Sequence, residues 1–285
     1  MDTEFNNAHA KTGYLINNIG FFHLVDTEPK EFNLHYHDFH KVLIFISGNV
    51  NYQVEGNTYQ LNPYDIVLIN AGEIHKPIIL DKTPYERVII YISSRFFDDY
   101  RNEDYNLFHC FSKALEHHAS LIRIKDISKT KLYNSILELV KSFESIEYAN
   151  QLYQQVIFTE FMIWVNRAVM NEGIIYPNAT ISNKTILDIM NHINSHLSDD
   201  ITIESISSYF FLNRSYLMHL FKSRTGYTVG KYISEKRLFN SRKLIQSGIS
   251  ITEACYQSGF KNYTTFYRAF VNKFDMPPKD ARTII

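Results

Sequence analysis

The sequence predicts an α+β multidomain protein: a small β-barrel first, a pair of helices next, and an all-α tandem repeat last. Three observations predict it. Short β-rich segments at roughly ten-residue spacing fill the first third. The apolar period turns helical after about residue 129. The last third repeats itself at an offset of 48–49 residues. With 285 residues the chain has room for two domains, and its 45% hydrophobic and 21% charged content is that of a globular protein.

The strands are expected at 40–45 (HKVLIF), 50–54 (VNYQV), 66–70 (IVLIN) and 87–92 (RVIIYI), with a shorter one at 57–61 (NTYQL). All are rich in β-branched and aromatic residues. Turn formers separate them: Ser47-Gly48-Asn49, Glu55-Gly56-Asn57, Asn62-Pro63-Tyr64-Asp65 and Ala71-Gly72. Such spacing means a small barrel or sandwich. The helical stretch that follows places Leu132, Ile136, Leu139, Val140 and Phe143 on one face. A second helix over about 150–169 carries Val156, Phe158, Phe161, Met162 and Val165. Two antiparallel helices after a barrel either pack on it or pair with a second copy, and the pattern leaves both open. The segment 171–183 (NEGIIYPNATISN) has no helical period and reads as a boundary.

In the last third, Ser207, Leu217, Phe221 and Thr228 correspond to Cys255, Phe266, Phe270 and Pro277. Each repeat has the layout of a helix-turn-helix. In the first, Thr202 caps a short helix, FLN turns the chain, and 214–224 (RSYLMHLFKSR) forms the second helix. Leu217, Leu220 and Phe221 share its inner face. Ser215, Met218, His219 and Lys222 share its outer face. In the second unit Gly259 sits where a tight turn needs positive φ. Asn262 then caps a helix through about Lys273, with Phe266, Phe270 and Phe274 inward and Tyr263, Thr264, Tyr267 and Arg268 outward. The major groove of B-DNA admits a helix and offers a distinct donor and acceptor pattern at each base pair. Charge agrees with that partner. The net charge of −1 divides into +6 from residue 181 onward (14 basic, 8 acidic) and −7 before it (15 basic, 22 acidic).

Residues 181–282 resemble the DNA-binding domain of the AraC/XylS family of transcription regulators. The resemblance lies in ISSYFFLNRSYLMHLFKSRTGYTVGKYI, in EKRLFNSRKLI, and above all in ITEACYQSGFKNYTTFYRAFVNKFDMPPKDAR. It implies base reading at Ser215, Met218, His219, Tyr263, Thr264, Tyr267 and Arg268, and phosphate contacts at Arg214 and Lys222. Ala254, Cys255 and Ser258 depart from the family's usual core residues. Met218 and His219 stand where polar or basic residues are common, so the first reading helix is expected to contact fewer base edges.

The segment NLHYHDFHKVLIFISGNVNYQVEGNTYQLNPYDIVLINAGEIHKP is similar to the cupin-like sensor barrel of the same family. Cupin enzymes hold a metal with His-x-His, a Glu and a later His. Here His35, His37 and His75 match, but Lys41 stands at the carboxylate position. An ammonium beside three imidazoles repels a cation, so neither a metal nor another cofactor is expected, and no catalytic residue. The three histidines then either simply pack in the barrel or help line a small-molecule effector site, for a sugar or a carboxylate, whose expected lining is His35, His37, Lys41, Tyr52, Tyr64 and His75.

The resulting expectation assigns 1–125 to the sensor barrel, 126–172 to a helical hairpin for dimerisation or barrel packing, 173–183 to a linker, and 181–285 to DNA binding. The implied partners are double-stranded promoter DNA, RNA polymerase, an effector and a second copy of the chain. Activation is the expected mode. No run is apolar enough to span a membrane, residues 1–14 lack the layout of a secretory signal, and Cys110 and Cys255 are too few for a disulfide framework, so a cytoplasmic protein is expected. The rival readings are a cupin enzyme with a helical tail and a regulator whose barrel binds nothing.

Overall fold

The computed structural model describes residue 15 and residues 18–28, 31–171, 173–181 and 184–282. Residues 1–14, read above for a secretory signal, and the linker end at 182–183 lie outside the described residues. Residues 1–180 and 181–285 form two compact units.

In the first unit the strands are β1 (Ile19–Asp26), β2 (His40–Ser47), β3 (Val50–Val54), β4 (Asn57–Gln60), β5 (Ile66–Ile69), β6 (His75–Ile79), β7 (Tyr85–Ile92), β8 (Leu121–Ile124), β9 (Ile174–Ile175) and β10 (Thr180–Ile181). They form a six-stranded sheet in the order β1-β7-β2-β5-β8-β9 and a four-stranded sheet in the order β10-β4-β3-β6. The two sheets differ in pattern because they differ in what covers them. β3 alternates, with Val50, Tyr52 and Val54 buried and Asn51 and Gln53 half-exposed, as a sheet with one wet face requires. β2 is apolar almost throughout because both its faces are covered. Val42 and Ile44 belong to one core, and Leu43 and Phe45 to another. The same parity divides β7, where Val88 and Ile90 face the first core and Tyr85 and Ile89 the second. One sheet thus separates a barrel interior from a helical layer.

That layer is built from α1 (Ser94–Asp99), α2 (His109–Glu116), α3 (Lys131–Ser142) and α4 (Asn150–Met170). Ser93 caps α1 by accepting from Phe96 N (3.2 Å), and Thr130 caps α3 by accepting from Tyr133 N (3.2 Å). Phe158, Phe161, Met162 and Val165 of α4 pack in one core with Val42, Ile44 and Ile90. The two helices therefore pack on the barrel sheet, which was one of the two expected arrangements. Asn166 fastens α4 to α2, accepting from Cys110 N (2.8 Å) and donating to Leu107 O (3.0 Å). β1, β6, β8 and the short helices α1 and α2 were not expected. β6 contains Pro77 and a lysine, and β8 has only four residues, so neither carries a strong strand signal.

The second unit contains α5 (Lys184–Ser195), α6 (Ile203–Tyr209), α7 (Arg214–Thr225), α8 (Val229–Gln246), α9 (Ile251–Gln257) and α10 (Tyr263–Phe274). Five of these starts carry a side-chain cap: Thr202, Asn213, Thr228, Ser250 and Asn262 each accept from a backbone N–H one turn on. Leu217, Leu220 and Phe221 are buried on α7, and Phe266, Phe270 and Phe274 on α10. Cys110 and Cys255 are both free and buried. Among the described residues no helix is long and apolar enough to cross a membrane.

Candidate DNA-reading helices and a histidine cluster in the barrel

Each helix-turn-helix unit is closed by local bonds. In the first, Thr202 and Ser205 cap α6 reciprocally, and Asn213 accepts from Ser215 N (2.9 Å) at the start of α7. In the second, Ser250 opens α9 and Asn262 accepts from Thr265 N (3.0 Å) at the start of α10. With their apolar faces inward, α7 and α10 are left with polar outer faces. Ser215, Met218, His219, Arg214 and Lys222 are exposed on α7, and Tyr263, Thr264, Tyr267 and Arg268 on α10. Every base-reading and phosphate position expected from the sequence is thus on an open face. Arg214 is engaged with Glu204 (2.8 Å), and both side chains are mostly solvated, so this pair opens at little cost. Arg237 of α8 ties the loop after α5 to the long helix, donating to Leu197 O (2.9 Å) and Asp199 O (2.7 Å).

The histidines meet inside the first unit through backbone pairing. His35 N donates to His75 O (3.2 Å) and His75 N donates to His35 O (2.9 Å), which sets the two residues side by side. Gly72 N donates to His37 O (2.8 Å) and brings the third histidine in. The ring centroids are 4.5 Å apart for His35 and His75 and 4.7 Å for His37 and His75. Phe39 stacks on His37 at 4.2 Å, and Tyr91 lies against both rings. Burial, and then the nearby Lys41, hold the imidazole of His35 below its usual pKa and those of His37 and His75 well below it. The cluster is therefore neutral at physiological pH.

Lys41 is fully inside the barrel and donates from Nζ to the Tyr52 hydroxyl at 3.1 Å. Burial, and then the Arg87 guanidinium, pull its amine down to about 7. The fixed ammonium expected from the sequence is accordingly a group poised between amine and ammonium. Arg87 is a cation that sequence reasoning missed. It is buried, donates to Tyr85 O (3.0 Å) and pairs with Asp26 (2.7 Å). β2 and β7 pair with Lys41 opposite Tyr91 and Phe45 opposite Arg87, so the odd-numbered residues of both strands point inward together. Only that register, which no local pattern carries, places Arg87 and Tyr91 in the interior.

Five of the six expected lining residues, His35, His37, Lys41, Tyr52 and His75, come together. Tyr64 does not. It occupies the β4–β5 turn at φ 69°, and its ring meets Tyr133 of α3 at 4.9 Å on the helical side of the sheet. The turn reverses the strand parity that would have carried it inward.

A family model described as an AraC-like ligand binding domain matches residues 20–130, and one described as a helix-turn-helix domain matches residues 206–284. The HTH-type transcriptional activator RhaS of Shigella sonnei is 22% identical over 268 residues, covering 90% of this chain and 91% of that one. RhaS of Enterobacter sp. is 20% identical over 255 residues, covering 87% of this chain and 86% of that one. Among solved structures, ToxT from Vibrio cholerae is 18% identical, covers 94% of this chain and 99% of its own, and has a TM-score of 0.37.

Proposed function

This chain belongs to the AraC family of DNA-binding transcription regulators, a family of regulators and not of enzymes, and on that premise we propose that it reads promoter DNA with α7 and α10 under the control of a small molecule held in its barrel. The observation that carries the DNA reading is the exposed polar face that each capped second helix presents in the basic third of the chain. α7 and α10 enter successive major grooves, about 34 Å apart on one side of the duplex. Exposed on α10, Arg268 offers a guanidinium that can bond a guanine edge twice and Thr264 a methyl that can touch a thymine methyl. Ser215, Met218, His219, Tyr263 and Tyr267 complete the reading surface. Arg214 and Lys222 hold phosphates and set register.

The effector, a sugar or a carboxylate, lies against His35, His37, Lys41, Tyr52 and His75. Effector binding acts by favouring one of two arrangements of the protein, since equal affinity for both would shift nothing. A second copy of the chain supports that coupling. Leu152, Val156, Ile163 and Met170 are exposed along α4 at steps of four, seven and seven residues, a heptad-like stripe opposite the face that packs on the sheet. Activation, as the name RhaS gives for the relatives, through contact with RNA polymerase, is the proposed output. The proposed site of action is the cytoplasm, where promoter DNA lies and where two free thiols stay reduced.

The test is binding of the full-length protein to the intergenic DNA upstream of its own gene and to unrelated DNA, over a salt series. A preference of about 10³-fold or more, falling steeply with salt, is expected. Equal affinity for both DNAs, unchanged by Arg268→Ala, would refute specific reading by α10.

A further inference from the structure

We infer that Arg237 is a positioning residue for DNA reading: it clamps the loop that leads into the first helix-turn-helix onto the turn of the second, and so fixes the span between α7 and α10. The inference rests on the proposed role of those two helices and adds what sets their spacing. α8 joins the two helix-turn-helix units and holds on to both. Near its start, Tyr232 donates to Asn194 Oδ1 of α5 (3.3 Å), and its ring meets Phe221 of α7 at 5.4 Å. Farther on, Glu235 pairs with Lys273 (2.9 Å) and Phe239 meets Phe274 at 5.6 Å, both on α10. One shared helix is a weak spacer, because the units it carries can rock and twist about it. A second tether away from its axis removes those motions.

Arg237 supplies that tether. Its guanidinium donates from Nε to Leu197 O (2.9 Å) and from Nη2 to Asp199 O (2.7 Å), both in the loop between α5 and α6. Two bonds from one planar fork fix direction as well as distance, which a single ammonium bond does not. The same guanidinium lies beside Gly259, in the turn between α9 and α10. A Cβ at Gly259 would stand 2.7 Å from Nε and collide with Leu197 O, so loop, guanidinium and turn are packed against one another. Lys261 and Asp200 span the same gap at 2.5 Å, but both side chains are mostly solvated and add little. DNA turns this rigidity into selection. One extra base pair between two blocks of sequence separates them by about 3.4 Å and turns one against the other by about 35°. A rigid pair of helices then keeps only one block in register, whereas a loose pair follows both.

The experiment uses the full chain. Met218→Cys with Tyr267→Cys places a pair of spin labels on the outer faces of α7 and α10, while Cys110 and Cys255 are buried and stay unlabelled in the folded protein. Pulsed dipolar spectroscopy without DNA is expected to give one narrow distance. Adding Arg237→Met, which keeps the apolar stem and loses both bonds, is expected to broaden it. Unlabelled protein is then titrated with the selectively bound upstream fragment and with the same fragment carrying one extra base pair between its two protected blocks. The extra base pair is expected to weaken the wild-type chain by about 10²-fold, as the loss of one or two base contacts does, and Arg237→Met by less than about 5-fold. Arg237→Lys, which reaches one of the two carbonyls, is expected to fall between them, and it carries the test alone if the methionine variant does not melt cooperatively. A narrow distance retained in the variants would overturn the clamp. Broadened distances with an unchanged spacing preference would overturn its role in reading. A wild-type chain that binds upstream and unrelated DNA equally, while the distances broaden as expected, would instead sink the DNA reading, and the positioning role with it.

Discussion

Phe211 and Gly259 stand 48 residues apart at the same place in the two helix-turn-helix units, and both have left-handed backbone, at φ 53° and 88°. The same two bonds close each turn. Leu212 N donates to Ser207 O (2.8 Å) and Phe211 N to Ser208 O (3.3 Å); Phe260 N donates to Cys255 O (3.2 Å) and Gly259 N to Tyr256 O (2.9 Å). The surroundings differ. A Cβ at Gly259 would collide with the carbonyl oxygen of Leu197 and lie 2.7 Å from Nε of Arg237. Phe211 is 95% exposed. Helix-turn-helix geometry demands the left-handed residue in both units, at about 1–2 kcal/mol for anything but glycine. Only the second unit also lacks the room for a side chain. The exposed outer faces differ in parallel, Met218 and His219 on α7 against Thr264 and Arg268 on α10.

The largest effect is expected from Gly259→Ala. Backbone strain and the displaced Arg237 hydrogen bonds together should lower stability by about 3 kcal/mol in urea unfolding. A loss under ~1 kcal/mol would mean that the two turns are equivalent after all. Next comes Arg268→Ala, which should weaken specific DNA binding by about 1–3 kcal/mol and relax selection at one base pair. Met218→Ala should cost less than half of that, and a reversed order in a binding assay would make α7 the dominant reader. Asn213→Ala and Asn262→Ala should each cost about 1 kcal/mol in stability, because the two caps are alike where the turns are not. The smallest effect, of opposite sign, belongs to Phe211→Gly. Relief of strain outweighs the added chain entropy and should raise the urea midpoint by the equivalent of about 0.5 kcal/mol. A fall instead would show that Phe211 is held by a contact of its own.

The second helix of each helix-turn-helix unit was legible almost to the residue. The expected 214–224 is observed as Arg214–Thr225, and the helix expected to begin after Asn262 runs Tyr263–Phe274. Their starts depend on Asn213 and Asn262, and their inner faces on apolar residues three and four apart, all local signals. The barrel site was legible only in part. His35, His37 and His75 could be named, but their meeting depends on a backbone pair between residues 40 positions apart. Arg87 and Tyr91 were hidden inside an apolar run whose parity means nothing until β7 is paired with β2. Tyr64 was misplaced because a turn separates it from the strand whose parity it was given.

The order of the barrel, helical and repeated segments, the duplicated unit, the caps and the divided charge were determined by the sequence itself, because each arises from residues within a turn or two of one another or from simple addition along the chain. What covers each face of β2, the room beside Gly259 and the freedom of Phe211, the convergence of three histidines and the lowered pKa of Lys41 were decided by tertiary structure. Desolvation and steric exclusion come from atoms that are distant in the chain, and no local pattern carries them until the fold has closed.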